Sequence, residues 1–330
     1  MIDFTIVPKS VFSFQDWSYG YIFHQLYQIT KSEYGNSFYL NLDDELFFIS
    51  SKFKIFDHKS TINKLHFFME VYNQNKKNEL ILEEDPNDYI TKKAKETIIK
   101  YLGAEEDLSS FYKFANEFDE LSNLQNVLPG YRLSSVLMRE WMPILGFLST
   151  NTTVDMYHTF LKNFLLRWGI QVKLDKSIIP SFPPLMNLIN LQDDDYRKTK
   201  IGYRSKYMPE LINNIVTKKL PLEKLEAILE TEDIKRVLKY LQESKGIGDY
   251  TARCILLYGL RNYSVGFVDS FIKIIMNEYF KTNKKIANKE LLKIIDDKFY
   301  PYQGLMIDWL TAIYSITKNT SKDKYFILKQ

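Results

Sequence analysis

The feature that most constrains the fold is a short Gly-Ile-Gly connection, residues 246–248, between two segments of helical periodicity. Its apolar flanks recur at helical intervals, which predicts two amphipathic helices, with the members Leu229, Ile234, Val237, Leu238, Leu241 before it and Ala252, Ile255, Leu256, Leu260 after it. Each glycine lacks a Cβ atom, so it can adopt positive φ and let the backbone approach a ligand closely. The sequence therefore predicts a tight helix hairpin over residues 234–260.

The second helix of this hairpin is predicted to begin near Asp249 or Tyr250. Its free N–H groups and the positive end of its dipole then point outward beside Gly246 and Gly248, which makes an anion site without a cationic side chain. N–H contacts to a nucleic-acid phosphate carry no base information, so a separate pocket would have to discriminate. The alternative is that the glycines merely close a helix hairpin.

A lone carboxylate, Asp269, follows within the apolar run Val265–Ile274. The segment after it, Ser270–Met276, has helical periodicity, and aspartate is a favoured N-cap residue. An N-cap role would fix the carboxylate and lower its pKa. A structural and a chemical role for Asp269 are compatible with each other.

Composition indicates a folded chain with a local rather than a global basic surface. With 330 residues, 45% hydrophobic and 26% charged, the chain can bury a full core in two or three subdomains. A net charge of +3 excludes a polycation of the histone type. The candidate basic surfaces, each with a solvated helix face as its alternative, are Arg197, Lys198, Lys200; Arg204, Lys206; and Lys281, Lys284, Lys285, Lys289, Lys293.

Cysteine and histidine usage narrows the chemistry further. One cysteine, Cys254, excludes a disulfide framework and a four-cysteine iron-sulfur cluster. The four histidines show no metal-ligand spacing, so we predict no protein-ligated metal. No apolar run is long enough for a bilayer, and the first residues lack the pattern of a signal peptide. These features predict an intracellular protein without a membrane partner.

The order of patterns predicts an α+β fold. Residues 1–88 are predicted to form an N-terminal antiparallel β-sheet plus helix domain, and residues 89–330 a mainly α-helical region. The predicted elements of the first part are strands in the alternating aromatic run 12–23, strands at 37–42, 45–56 and 79–82, and a helix at 61–72. The acidic, proline-containing segment 83–88 is the predicted boundary.

Four segments together carry a resemblance to a known family. Residues 245–255, Lys-Gly-Ile-Gly-Asp-Tyr-Thr-Ala-Arg-Cys-Ile, resemble the helix-hairpin-helix of the base-excision DNA glycosylase (HhH-GPD) superfamily, and Asp269 stands where that family carries its aspartate. Segments 182–188 and 201–207 resemble its Phe-Pro and Gly-x-Arg-x-Lys stretches, and 299–305 resembles its Gly-Pro-Tyr-x-Gly signature. The resemblance covers roughly residues 101–316 and implies a helical glycosylase core.

The resemblance implies a catalytic role for Asp269. Breaking an N-glycosidic bond builds positive charge on the sugar, which a nearby carboxylate stabilises. Bifunctional members carry a lysine at the position of Tyr250, and a phenol with a pKa of about 10 is no amine nucleophile. Alkylation glycosylases carry a stacking tryptophan there, so Tyr250 favours monofunctional hydrolysis.

The resemblance also implies a base pocket near Tyr250, Cys254, Phe147 and Trp309. A small core cysteine is the alternative for Cys254. Enzymes for 8-oxoguanine carry a glutamine after the Gly-Pro-Tyr-x-Gly signature, whereas this chain has Leu-Met-Ile-Asp-Trp over residues 305–309. That departure favours cationic alkylpurines, which need aromatic stacking.

The remaining predicted contacts concern duplex DNA. The predicted DNA-binding residues are Lys245, Gly246, Gly248, Thr251, Arg204, Lys206 and Lys273. A wedge that fills the gap left by the everted nucleotide is predicted near the polar cluster 149–153, with Leu148 stacking or Asn151 hydrogen-bonding. A polar turn between helices is the alternative for that cluster.

The resemblance therefore implies a monomeric glycosylase acting on damaged double-stranded DNA, with an alkylated purine as substrate. No organic cofactor is predicted, and the hairpin's backbone carbonyls are predicted to hold a Na⁺ or K⁺ ion that also touches a DNA phosphate. Two alternatives stay open: an 8-oxoguanine glycosylase with unusual chemistry, and a non-catalytic helix-hairpin-helix DNA-binding module.

Overall fold

A computed structural model gives the fold of most of the chain. The structure describes residues 2–6, 30–32, 35–41, 47–54, 65–74, 80–82, 87–122, 124, 127–133, 139–174 and 177–317. For the strands between residues 2 and 82, it describes the backbone. The predicted strands in the aromatic run 12–23 lie outside the described residues.

The described strands of residues 2–82 form an antiparallel sheet. Its order is β1-β5-β4-β3-β2, with β6 paired to β5. The strands are β1 Ile2–Ile6, β2 Thr30–Ser32, β3 Gly35–Asn41, β4 Phe47–Lys54, β5 Leu65–Gln74 and β6 Leu80–Leu82. The strands predicted at 37–42, 45–56 and 79–82 correspond to β3, β4 and β6. The assignment of residues 1–88 as a separate domain stays a prediction.

The helix predicted at residues 61–72 is wrong, because its described part is strand β5. The segment Leu65-His-Phe-Phe-Met-Glu-Val-Tyr72 is rich in aromatic residues, which favour strands as much as helices. β5 pairs with β4 and with β1, so ladder hydrogen bonds on both sides decide its conformation.

Beyond residue 87 the described chain is mainly helical. The helices are α1 Asp88–Leu102, α2 Ser109–Ala115, α3 Met142–Leu148, α4 Val154–Trp168, α5 Asp193–Arg197, α6 Met208–Val216, α7 Leu225–Thr231, α8 Ile234–Gln242, α9 Asp249–Cys254, α10 Ser270–Phe280, α11 Asn288–Phe299 and α12 Gln303–Thr317. A β-hairpin, β7 Ile170–Leu174 with β8 Ser177–Ser181, interrupts this region. This β-hairpin was not predicted, because the sequence on both sides of it has helical periodicity.

Local sequence signals explain where several helices begin. The side chains of Asn87, Thr153, Asp233 and Asp269 accept hydrogen bonds from first-turn N–H groups of α1, α4, α8 and α10. Such N-caps satisfy donors that have no partner inside the helix. These four helix starts are thus encoded by short polar residues before the helical segments.

A continuous apolar core joins the helices. α3 is buried along its whole length, and α8 buries Val237, Leu238 and Leu241. The central aromatic residues Trp141 and Trp309 are both almost fully buried. In the described part of the chain, no helix combines the length and the apolar character that crossing a membrane requires.

The predicted helix hairpin is confirmed. α8 ends at Gln242 and α9 begins at Asp249, with the Gly-Ile-Gly connection between them. α9 continues directly into one π-helical turn, Ile255–Gly259, which is buried throughout. π-turns of this kind occur frequently at functional sites, and this one leads into the loop that carries Asp269.

Candidate functional site

The two hairpin glycines have different conformations. Gly246 has φ +95°, in the region that favours glycine, whereas Gly248 has φ −89° and ψ −179°. The expectation that both glycines exploit positive φ is therefore wrong for Gly248, which is the extended N-cap of α9. A Cβ atom built on Gly248 meets nothing within 4 Å. The glycine thus leaves an open approach to the first N–H groups of α9.

A cleft of about 340 Å³ opens beside this hairpin. Its walls come from the end of α3, from the short 3₁₀ turn Gly202–Lys206 and from the hairpin itself, with the lining residues Phe147, Thr150, Asn151, Tyr203, Tyr207, Gly246, Ile247 and Gly248. Tyr203, which no sequence pattern singled out, is 49% exposed at the cleft. It lies in the 201–207 segment that resembles a family motif, but in that segment the cations Arg204 and Lys206 were predicted as the DNA contacts.

Arg204 is corrected from a DNA contact to a structural residue. Its side chain is 3% exposed, and its guanidinium donates to the carbonyl oxygens of Phe147 at 3.4 Å, Ile201 at 3.3 Å and Thr150. The carbonyls at the end of α3 have no partner inside the helix. The Phe147 carbonyl accepts from the N–H and hydroxyl of Thr150, and Arg204 adds a further donor there. Burial lowers the pKa of the Arg204 guanidinium. It therefore shapes the cleft wall from behind.

The wedge candidates separate clearly. Leu148 is fully buried, so its assignment as a wedge is wrong: it faces the core on the last turn of α3. Asn151 is exposed at the cleft with φ 46°, a conformation that asparagine tolerates better than most residues. Tyr203 stands beside it, and its hydroxyl is hydrogen-bonded with Thr150 and Asn151.

Two further assignments are corrected by burial. Thr251 is fully buried on α9, and its methyl group packs against Gly146, so its side chain cannot reach DNA. Trp309 is 1% exposed; its indole N–H donates to the Leu128 carbonyl at 3.4 Å, and its ring packs edge-on against Phe111. It is a core residue and not part of a base pocket.

The predicted basic contacts differ in their surroundings. Lys245 is exposed. Its Nζ lies 3.1 Å from Oε2 of Glu210 and 5.8 Å from the centre of the Tyr207 ring. Exposed pairs contribute little to stability, so a phosphate can displace Glu210 at low cost. Lys206 is exposed, and Lys273 is half-buried in the first turn of α10. Phe147 lines the cleft and packs against Tyr207, and its assignment to a base pocket stays a prediction.

Asp269 caps α10, as predicted. Its Oδ1 accepts a hydrogen bond from the Ile272 N–H at 2.8 Å, and its side chain is half-buried. The predicted lowering of its pKa is wrong, because burial raises the pKa of Asp269 and the hydrogen bonds from Ile272 and Phe271 only partly oppose it. A carboxylate removed from water attracts nearby positive charge more strongly than one in water.

The loop that carries Asp269 is held from two sides. Arg253, on α9, donates from its guanidinium to the Gly266 carbonyl at 3.0 Å and to the Asp249 carboxylate at 2.8 Å. On the other side, the Gly304 N–H donates to the Tyr263 carbonyl at 2.8 Å. The acid loop, residues 261–269, is therefore tied to the hairpin and to the start of α12.

Tyr250 and Cys254 lie together near the acid. The Tyr250 ring packs edge-on against Phe267 at 5.3 Å between centroids, and Tyr250 is hydrogen-bonded with the Cys254 thiol. Cys254 is fully buried, and burial, with added contributions from the charges of Asp269 and Asp308, raises its thiol pKa well above the usual range. The thiol is therefore protonated and unreactive.

Two residues that the sequence analysis did not assign belong to this region. Arg253 holds the acid loop, and Asp308 is a buried carboxylate bonded by two tyrosine hydroxyls. The partners of Asp308 lie 50 and 177 positions away in sequence, and the Gly266 carbonyl lies 13 positions from Arg253, so no local spacing identified these contacts. Among the residues that the structure describes, no group of three or more His, Cys, Asp or Glu side chains could hold a metal ion.

Comparison with known sequences finds glycosylases. No protein-family model matches the chain. It is 24% identical over 191 residues to N-glycosylase/DNA lyase OGG1 of Arabidopsis thaliana, covering 57% of this chain and 52% of that protein. It is 25% identical over 190 residues to a probable N-glycosylase/DNA lyase of Methanothermobacter thermautotrophicus, covering 52% and 59%. The chain spans about half the length of these curated relatives.

Solved structures share nearly the whole fold. An 8-oxoguanine glycosylase/lyase of Clostridium acetobutylicum, bound to double-stranded DNA, superimposes with a TM-score of 0.70 at 17% identity, covering 95% of this chain and 98% of that one. The 3-methyladenine DNA-glycosylase of Archaeoglobus fulgidus gives 0.70 at 15% identity, covering 97% and 99%. With the hairpin and the capped Asp269 in place, these similarities in sequence and fold confirm the resemblance to the helix-hairpin-helix (HhH-GPD) DNA glycosylase superfamily that the sequence carries.

Proposed function

We propose that the protein is a monofunctional DNA glycosylase that acts as a monomer on damaged duplex DNA. It turns the damaged nucleotide out of the stack and hydrolyses its N-glycosidic bond with Asp269. The observation that carries this proposal is the half-buried carboxylate of Asp269, fixed as the N-cap of α10 on a loop tied to the hairpin. The names of the curated relatives support glycosylase chemistry.

Asp269 acts by electrostatics in this mechanism. As the bond from C1′ to the base nitrogen breaks, its electron pair leaves with the base and positive charge builds on the sugar. The ionised carboxylate stabilises that charge, and its backbone hydrogen bond keeps it oriented without reorganisation. The oxygen of a water then bonds to C1′, and the proton it loses passes to the solvent or the released base.

Tyr250 supports hydrolysis without a covalent enzyme intermediate. It occupies the second position after Gly248, and its phenol offers no amine for a Schiff base. Its ring, backed by Phe267, presents an aromatic surface for a flipped base. Aromatic faces attract cationic rings, so we propose alkylated purines as the substrate class.

The hairpin holds the DNA backbone in this proposal. The N–H groups beside Gly248 and the ammonium of Lys245 face a phosphate, while Lys206 adds charge at the cleft rim. In this hairpin, the carbonyl oxygens of residues 245–247 accept no backbone hydrogen bond. Such free carbonyls suit a Na⁺ or K⁺ ion, which would supply positive charge to the same phosphate. Asn151, with Tyr203 beside it, is the proposed wedge.

One observation favours a second candidate, an 8-oxoguanine glycosylase with lyase activity. Both curated relatives carry lyase in their names. Lys273, one turn after Asp269 on α10, is the amine that this candidate would use. Its amine would bond to C1′ as the base leaves with the electron pair of the broken bond, and would form an imine as the sugar ring opens. β-Elimination would then release the 3′ phosphate, and water would hydrolyse the imine.

A lesion panel separates these candidates. Duplexes carrying a methylated purine, 8-oxoguanine or an abasic site are incubated with the protein, with and without borohydride. Our proposal predicts release of the methylated purine, intact strands before alkali and no trapped adduct. Release of 8-oxoguanine with a borohydride-trapped adduct would establish the second candidate. Tight duplex binding without release of any base would identify a non-catalytic binding module.

A further inference from the structure

We propose that Asp308 is a specificity-determining residue, whose buried negative charge makes the base pocket select cationic damaged bases over neutral ones. The inference rests on the proposed glycosylase function and deepens it. It concerns a residue outside the proposed catalytic step, because Asp308 lies in the core and does not touch the sugar.

The geometry around Asp308 is that of an ionised carboxylate. The residue is 2% exposed on α12. Its Oδ1 accepts a hydrogen bond from the Tyr258 hydroxyl at 2.8 Å, and its Oδ2 accepts one from the Tyr131 hydroxyl. Each oxygen thus faces a donor, as a charged carboxylate requires. Charged side chains are seldom fully buried without a cation beside them, so this one calls for an explanation.

Asp308 adjoins the proposed pocket through a series of aromatic rings. Tyr258, which bonds it, lies in the π-turn, and its ring centre is 6.2 Å from that of Phe267. Phe267 in turn packs against Tyr250 at 5.3 Å. The Cys254 thiol, between Tyr250 and Tyr258 in the chain, responds to the charges of both Asp269 and Asp308. The negative charge of Asp308 therefore reaches the pocket wall.

The neighbouring cation does not cancel this charge. The described charged and titratable groups that face Asp308 are Tyr131, Tyr258, Cys254 and Arg261. Arg261 is committed elsewhere: its guanidinium donates to Glu106 at 3.1 Å and to the Lys100 carbonyl at 3.0 Å. A net negative field thus remains on the base side of the site.

The chemistry of base release makes this field selective. A cationic base leaves as a neutral molecule, because it takes the bond's electron pair with it, whereas a neutral base leaves with negative charge. The field of Asp308 stabilises the everted cation and disfavours the departing anion. For charges about 10 Å apart at an effective dielectric constant of about 20, the effect is on the order of tenfold.

The test compares Asp308→Asn with the unmodified protein on matched duplexes that carry a cationic methylated purine or a neutral damaged purine. We expect kcat/KM for the cationic lesion to fall about tenfold, while the value for the neutral lesion stays constant or rises. Asp297→Asn, an exposed charge-matched variant on α11, should change neither. Equal losses for both lesions would assign Asp308 a purely structural role and overturn the inference.

A binding measurement keeps the inference separate from the proposed function. In an Asp269→Asn background, where no turnover is needed, duplexes with the cationic lesion should bind more tightly than duplexes with the neutral lesion, and adding Asp308→Asn should reduce this preference. A preference unchanged by the substitution would refute the inference even if no base is ever released.

The pH dependence gives a second handle that does not require replacing Asp308. Burial raises its pKa to about 6, so preference for the cationic lesion should be lost as the pH falls through that value. Tyr258→Phe removes a donor to the carboxylate and should move this loss to higher pH. A pH profile of selectivity that is identical in the variant and the unmodified protein would contradict the proposal.

Discussion

The cleft beside the helix hairpin and the acid centre, which contains the carboxylates of Asp269 and Asp308, differ in how far their groups are exposed to a ligand. The cleft is open and is lined by backbone groups, glycines and neutral aromatic rings. The exposed ion pair of Lys245 with Glu210 lies beside it. The acid centre is half-buried or buried, and its carboxylates are held by N–H and O–H donors. In the proposed function, the cleft would bind any duplex, whereas the acid centre would respond to the charge of the base. DNA binding and lesion discrimination would then depend on different residues.

The substitution with the largest expected effect tests whether DNA binding requires the Asp269 carboxylate. Asp269→Asn should lower single-turnover base release by about 10²–10³-fold. Asparagine is also a good N-cap, so the helix start and the fold should persist. Affinity for an abasic duplex should stay within about twofold. Ser270→Ala, at the next and exposed position, serves as the control for local disturbance.

The same centre predicts a rise of base release with pH. Only ionised Asp269 stabilises the sugar cation, and burial raises its pKa. The midpoint of the rise should therefore lie above the ordinary value of an aspartate. A midpoint below that value, measured at constant ionic strength with a neutral lesion, would contradict the burial argument.

A pair of glycine substitutions tests the cleft against the core. At Gly248, an added Cβ meets nothing within 4 Å, so Gly248→Ala should lower duplex affinity roughly tenfold by blocking backbone approach, while stability changes by at most about 1 kcal/mol. At Gly304, an added Cβ would lie 2.5 Å from both the Leu257 side chain and the Val265 carbonyl. Gly304→Ala should therefore destabilise the protein by about 1–3 kcal/mol. Denaturant unfolding and DNA titration measure both; the reverse order of effects would refute the division.

A smaller effect is expected at the link between the two regions. Arg253→Met removes the hydrogen bonds to Gly266 and Asp249 and should slow base release several-fold without weakening duplex binding. Arg253→Lys, which retains a donor, should recover part of the loss. If affinity falls as much as the rate, Arg253 acts on the hairpin rather than on the acid loop.

The smallest effect concerns the exposed lysine. Lys245→Ala should weaken binding a few-fold for every duplex sequence and reduce the slope of log affinity against log salt by about 1. Its pair with Glu210 is exposed, so stability should hardly change. Lys239→Ala, an exposed lysine on α8, is the matched control. Equal salt slopes for all three proteins would remove Lys245 from the phosphate contact.

The features predicted correctly from sequence depend on neighbouring residues. The Gly-Ile-Gly connection and the N-cap at Asp269 are local patterns, and both are present. Burial is not local. Leu148, Thr251 and Trp309 occupy positions where side-chain type permits either a contact or a core role, and the packing of α3, α9 and α12 decides for the core.

The partners of the decisive charged residues were also beyond local patterns. Asp308 is bonded by Tyr258, 50 positions away, and by Tyr131, 177 positions away. Arg204 is predicted from sequence to be a surface cation, yet it is buried and donates to the Phe147 carbonyl at the end of α3. Strand β5 was predicted as a helix because its composition fits both structures until its sheet partners are known.

The tie between Arg253 and the Gly266 carbonyl has a consequence for registration on DNA. In the proposed function, a DNA strand binds at the glycine turn, residues 246–248. The distance from this phosphate site to the Asp269 carboxylate is then fixed by the protein. A damaged nucleotide bound one position out of register would then lie against aromatic side chains and not beside the Asp269 carboxylate.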